Sequence, residues 1–125
     1  LLVEDDALIR MNTVEMLADA GYVVIEAGSA EEALNALHAS PVDILVTDNN
    51  LPGASGLELA EAMRTVRPDA QIVFATGDPS AVATVPGARL LAKPYGSQAL
   101  LRVVAEAGDG LRPVLDAATP AQDIA

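Results

Sequence analysis

The sequence contains no cysteine, which excludes disulfides and thiolate metal sites. It also has no tryptophan, one phenylalanine and two tyrosines, so it lacks the aromatic platforms on which bases stack. Basic residues are scarce as well: 7 Lys and Arg stand against 18 Asp and Glu, for a net charge of -11. Phosphate backbones are gripped by clustered Arg and Lys, so nucleic acid is excluded as a direct partner of this domain. No apolar run approaches the roughly 20 residues of a membrane span, and no basic n-region with an h-region marks secretion. No membrane association is expected, and the lack of cysteine fits a cytoplasmic location. The chain opens inside an apolar run at Leu1 without an initiating Met, which reads as a fragment of something longer.

What is present is a soluble-protein pattern in 125 residues, a length suited to one domain. Short apolar runs alternate with helical periodicity. Strands are expected at 1–3, 22–26, 42–48, 71–76 and 88–92. The first helix is predicted from Ala7 to about Ala20, capped by Asp6 and ended by Gly21, with Leu8, Met11, Val14, Leu17 and Ala18 as its apolar stripe. Ser29 with Glu32, and Ser55 with Glu58, make capping boxes that open two further helices. Their inward faces are Ala33, Leu34 and Leu37, then Leu59, Met63 and Val66. Residues 77–87 leave room only for a short helix around 80–84. A last helix starts near Gly96 or Ser97 and turns Leu100, Leu101 and Val104 inward. Periodicity fades after Gly108-Asp109-Gly110, so residues 1–109 read as the domain and 110–125 as a tail or linker. Under this division every proline falls in a loop or at an element boundary. Five β/α units imply an α/β fold: a doubly wound, five-stranded parallel sheet with right-handed crossovers and helices on both faces.

In such a sheet all strand exits share one edge, where ligands bind. The first strand leads to Asp5 and Asp6, the third ends at Asp48, the fourth at Thr76, and the fifth is followed by Lys93. Each has a plain structural reading: a cap, a loop acid, a solvated base. Together they form a chemical set. Three carboxylates in one small site repel and call for a cation, and oxygen ligands without Cys or nearby His suit Mg²⁺ or Mn²⁺. Lys93 is the single lysine in the chain. A carboxylate surrounded by a metal, an ammonium and a hydroxyl is equipped to take up a phosphoryl group.

The runs V-E-D-D, L-V-T-D-N-N-L-P-G-A-S-G, F-A-T-G and A-K-P-Y, in that order over residues 1–107, resemble the receiver domain of a two-component response regulator. The F-A-T-G run is also similar to a subgroup of single-domain or kinase-attached receivers. The resemblance implies a flavodoxin-like strand order 2-1-3-4-5 and a phosphoprotein of bacterial phosphorelay signalling. Such a protein would be a stand-alone receiver or the C-terminal receiver of a hybrid histidine kinase. It implies Asp48 as phosphoacceptor, Asp5, Asp6 and Asp48 as Mg²⁺ ligands, and the backbone carbonyl of Asn50 as a further one. Thr76 and Lys93 align with the switch hydroxyl and the phosphate-pairing lysine, and a cis Lys93–Pro94 bond is expected. The implied partner is a histidine kinase or its phosphohistidine domain. The implied role is a signalling phosphoacceptor with intrinsic self-phosphorylation and self-dephosphorylation, not a separate enzyme. Asn50 and Asp78, two residues after Asp48 and Thr76, align with positions that tune the lifetime of the phosphate.

The sequence departs from the family at Leu90, where a switching Tyr or Phe is usual, at Gly77, and in the short stretch between Thr76 and Leu90. Two other readings compete with this one. An aspartyl-phosphate phosphohydrolase needs an acid two residues after its nucleophile, where this chain has Asn50. A phosphate-independent pseudo-receiver would not need the acids, Asp48 and Lys93 together. His38, Glu31, Glu32, Glu58 and Glu61 read as solvated helix residues, and Phe74 and Tyr95 as packing residues.

Overall fold

The computed structural model describes residues 1–51, 53–77 and 85–118, with side chains described through residue 109. In chain order the elements are β1 (Leu2–Val3), α1 (Ala7–Asp19), β2 (Glu26–Ala27), α2 (Ala30–Ala39) and β3 (Ile44–Asp48). They continue with β4 (Asn50–Leu51), β5 (Ala54–Ser55), α3 (Gly56–Val66), β6 (Gln71–Thr76), β7 (Arg89–Ala92) and α4 (Ser97–Ala118). Five of the strands form one sheet in the order β2-β1-β3-β6-β7, all parallel. These are the five expected strands in the expected order. The segment around 80–84, where a short helix was expected, lies outside the described residues. No helix among the described residues is long and apolar enough to cross a membrane.

The pleat sorts the sheet's side chains between two cores. Val3, Leu45, Ile72 and Phe74 meet Ala33 and Leu37 of α2 and Leu59 and Met63 of α3. Leu2, Val46, Val73 and Leu91 meet Leu17 of α1 and Leu100 and Val104 of α4. Neighbours along a strand thus point to opposite layers, and the sheet is covered on both faces. Each fully buried Leu, Ile, Val, Phe or Met contributes roughly 1.5–3 kcal/mol.

Helix starts follow the expected chemistry. The Asp6 side chain accepts from the amides of Leu8 and Ile9, Ser29 from Glu32, and Ser55 from Glu58. The Glu32 carboxylate reaches back to the amide of Gly28, one residue before the cap.

Four details differ from the sequence reading. On α1, Leu8 and Met11 are exposed and Ala18 is on the surface; the inward residues are Thr13 and Leu17, flanked by Val14 and Met16. Val66 of α3 is also exposed. The second strand is Glu26–Ala27 rather than 22–26, the two residues in register with Leu2 and Val3, and Val23 is almost wholly solvated. Finally, α4 passes through Gly108 and Gly110 to Ala118 and includes Pro113, so not every proline sits at a boundary.

Candidate functional site

The site is built by register. Leu2 pairs with Val46 and Val3 with Thr47, so Glu4, one step on, is level with Asp48. Asp48 pairs with Ala75, and Thr76 with Ala92, which precedes Lys93. Period-two alternation then sets direction: Glu4, Asp48 and Lys93 each stand two residues beyond Leu2, Val46 and Leu91, all members of the α1–α4 core. The same face of three strands delivers an acid, an acid and a base to one point above that core.

There the Lys93 ammonium donates to Glu4 Oε1 at 2.8 Å and to Asp48 Oδ2 at 3.1 Å. The Glu4 side chain is 4% exposed and that of Asp48 16%. Burial on its own would lower the Lys93 pKa, but hydrogen bonds to both carboxylates, reinforced by their charges, raise it above the ordinary lysine value. The amide of Lys93 donates to the carbonyl of Thr76 at 3.1 Å, tying the β7 exit to that of β6. Thr76 itself is buried at the end of its strand. The Lys93–Pro94 bond is cis, as expected.

The expected acids divide differently. Glu4, Asp5 and Asp48 each bring a carboxylate oxygen within 4.8 Å of the others. Asp6 is not in that group; its Oδ1 is occupied at the α1 N-terminus by the amides of Leu8 and Ile9. In this geometry the acids grouped with Asp48 are Glu4 and Asp5, while Asp6 caps α1. Glu4 also accepts from the Asp6 amide at 3.1 Å, while its own carbonyl accepts from Arg10 at 2.7 Å. A nearly buried carboxylate with these partners is held rigidly. The signal for Glu4 was the pleat: Leu2 and Glu4 share a face.

Asn50 begins the β4–β5 hairpin, and its amide faces Asp48 Oδ1 at a long 3.5 Å. Gly53, with φ +87°, lies in that hairpin's turn, a conformation that favours glycine. Gly56 is required by close approach: a Cβ there would stand 2.4 Å from the carbonyl oxygen of Asp48. This lets α3 start directly behind the acid, with the Gly56 amide donating to Asn49 at 2.8 Å. Asp78 lies outside the described residues.

Of the remaining residues, His38 is exposed on α2, and Glu31, Glu32, Glu58 and Glu61 are on the surface. Phe74 is fully buried, and Leu90 is half-buried on β7. Tyr95 packs against the α1–α4 core and pairs its hydroxyl with that of Thr13 at 2.8 Å. Burial pushes the Tyr95 pKa up.

A set of three hard carboxylate ligands fits a divalent cation of the Mg²⁺ or Mn²⁺ type. The adjacent ammonium gives the same site affinity for a phosphoryl group.

The family model of the response regulator receiver domain matches residues 1–105. The response regulator receiver protein CpdR of Brucella abortus (strain 2308) is 37% identical over 101 residues, covering 76% of this chain and 83% of that protein. The sensor kinase CckA of the same strain is 39% identical over 79 residues, 62% of this chain and 8% of the kinase. The transcriptional regulatory protein DctD of Rhizobium meliloti (strain 1021) is 30% identical over 92% of this chain, which spans 26% of that protein. Among solved structures, the chemotaxis response regulator CheY4 of Vibrio cholerae superposes with a TM-score of 0.79 at 26% identity, over 85% of this chain and 94% of that one. The receiver domain of the hybrid histidine kinase CckA gives 0.75 at 29% identity over the same shares. Motif order, sheet topology and these matches agree: the chain belongs to the response regulator receiver domain family, the phosphoacceptors of two-component signalling.

Proposed function

We propose that Asp48 is the residue on which this receiver takes up its phosphoryl group, from the phosphohistidine of a histidine kinase or its phosphohistidine domain. The observation that carries this reading is the double hydrogen bond of Lys93 to Glu4 and Asp48 where three carboxylates converge. An Asp48 oxygen forms the new O–P bond as the N–P bond of the phosphohistidine breaks, and the departing imidazole takes a proton from solvent. Lys93, already bonded to Asp48, is within reach of a phosphoryl oxygen on that carboxylate and would exchange a carboxylate partner for it. Thr76, at the end of the adjacent strand, supplies a hydroxyl on the same edge.

Glu4, Asp5 and Asp48 would hold Mg²⁺ or Mn²⁺, with the backbone carbonyl of Asn50 as a further ligand. The ion supplies neutralisation of the phosphoryl oxygens during transfer. Asn50 and Asp78 are read as the side chains that tune the lifetime of the aspartyl phosphate. The protein acts as a signalling phosphoacceptor in the cytoplasm rather than as a separate enzyme. Residues 1–109 form the receiver, and 110–125 a tail or linker that begins as the continuation of α4. Its relatives include both a receiver protein and a sensor kinase, so a stand-alone receiver and a kinase-attached one are both represented among them.

The test is mass spectrometry after incubation with Mg²⁺ and acetyl phosphate. Wild type should gain one phosphoryl group and Asp48→Asn none. Label on the Asn variant at wild-type level would overturn the assignment.

A further inference from the structure

Lys93 lies just past the end of β7, and its ammonium donates to two acids of the site, Glu4 and Asp48. What fixes the loop that carries it is a separate question, because an ammonium on a four-carbon stem is positioned only as well as its backbone. Among the described residues one tie stands out. Tyr95, two residues after Lys93, reaches across to α1 and pairs its phenol with Thr13 at 2.8 Å. Thr13 is 1% exposed, one of four buried polar or charged residues described, the others being Glu4, Thr47 and Thr76.

The direction of this bond follows from its surroundings. Thr13 Oγ1 also lies 2.8 Å from the carbonyl of Ile9, and a carbonyl only accepts, so the single Thr13 proton goes there. The phenol of Tyr95 must then donate to Thr13. The result is a directed chain, Tyr95 O–H to Thr13 O–H to Ile9 carbonyl, ending in the first turns of α1. That helix is itself pinned at Asp6, the residue next to Asp5 and Glu4. The chain therefore connects the backbone beside Lys93 to the segment that carries Glu4, one of the two acids it binds.

We propose that Thr13 and Tyr95 are positioning residues for Lys93, a buried hydroxyl pair that locks the β7–α4 loop to α1 and so sets the ammonium between Glu4 and Asp48. Neither residue touches the reacting atoms. Their role in phosphoryl transfer rests on the assignment of Asp48 and Lys93 above, but their effect on the ammonium does not. A buried hydroxyl pair of this kind is worth a factor of about three to ten in an equilibrium. Loss of either partner should loosen the lysine by that much.

The single lysine makes this directly measurable, since lysine-specific ¹⁵N labelling gives one ammonium resonance. Exchange of its protons with water at neutral pH reports how firmly Glu4 and Asp48 hold it. Tyr95→Phe and Thr13→Val should each speed that exchange about three- to tenfold. The double variant should be no faster than the faster single one, and Thr13→Ser, which keeps the hydroxyl, should stay within about twofold of wild type. The same proteins are then phosphorylated with acetyl phosphate and Mg²⁺, where the two hydroxyl-deleting variants should be slowed in the same ratio. Exchange in Tyr95→Phe equal to wild type would overturn the proposal, as would effects that multiply in the double variant. Tyr95→Phe removes a single oxygen from a half-buried ring and keeps the ring's packing, so it tests the tie even if Thr13→Val fails to fold. Failure of wild type to take up phosphate, with the exchange pattern intact, would instead overturn the assignment of Asp48.

Discussion

Lys93 concentrates the electrostatics of the molecule in one side chain. Its pKa is raised because the hydrogen bonds and charges of Glu4 and Asp48 outweigh the lowering by burial. A lysine raised in the folded state stabilises fully below its unfolded value of about 10.4, and that stabilisation is lost as pH rises through the folded value. Lys93→Met should therefore destabilise the protein at pH 7, by about 1–3 kcal/mol for hydrogen bonds to charged groups. The gap from wild type should stay level up to about pH 9 and narrow only above about 10.4. Chemical denaturation across that range checks it, and a gap that closes between neutrality and pH 9 would contradict the pairing. This residue was legible in the sequence because a lone lysine after an apolar strand has few structural reasons to be there. Glu4 was not. In the run Glu4-Asp5-Asp6 the residue types are nearly equivalent, and composition does not say which acids turn inward. The pleat of a strand only two residues long decides that, placing Glu4 over the core and sending Asp6 to the helix terminus.

At the level of elements, glycine positions separate packing from propensity. Gly56 opens α3 against the end of β3, and a methyl group there meets the Asp48 carbonyl at 2.4 Å and the Phe74 ring at 3.2 Å. Gly56→Ala should cost about 1–3 kcal/mol, since the backbone of the helix or of Asp48 must shift. Gly108 lies inside α4 with nothing within 4 Å of an added Cβ, so Gly108→Ala should stabilise by about 0.5–1 kcal/mol. Urea denaturation of both variants tests the pair, and loss of stability at Gly108 would argue against a helix through that point. The same contrast explains what the sequence could and could not reveal. The runs Ile44–Asp48 and Gln71–Thr76 were readable because strands buried on both faces are continuously apolar. The end of α4 was not, because a helix tolerates a glycine at about 1 kcal/mol, and Gly108-Asp109-Gly110 resembles a terminus without being one. On α1 the apolar residues are spread around the helix, and its exposed Leu8 and Met11 are equal in type to the buried Leu17. Periodicity alone did not identify the inward side there; contact with the sheet and α4 did.

For the molecule as a whole, parallel topology brings every strand exit to one edge and so assembles an acidic pole on a chain that already carries a charge of -11. Any salt should stabilise such a protein somewhat by screening, with a Debye length of about 10 Å at 0.1 M. A specific site must do more than that. MgCl₂ should raise the melting temperature of wild type further than NaCl at equal ionic strength, because Glu4, Asp5 and Asp48 repel one another until a cation lies among them. Glu4→Gln should cut that excess while leaving the NaCl response, which depends on the whole surface, nearly unchanged. The quantity compared is the rise caused by Mg²⁺ within each protein, so the separate loss of the Glu4–Lys93 bond does not enter. Asp6→Asn should keep the excess, since asparagine caps a helix about as well as aspartate and the Asp6 carboxylate is engaged at the start of α1. The opposite pattern, with the excess lost in Asp6→Asn and kept in Glu4→Gln, would move the ion to an Asp5–Asp6 pair and remove Glu4 from the site.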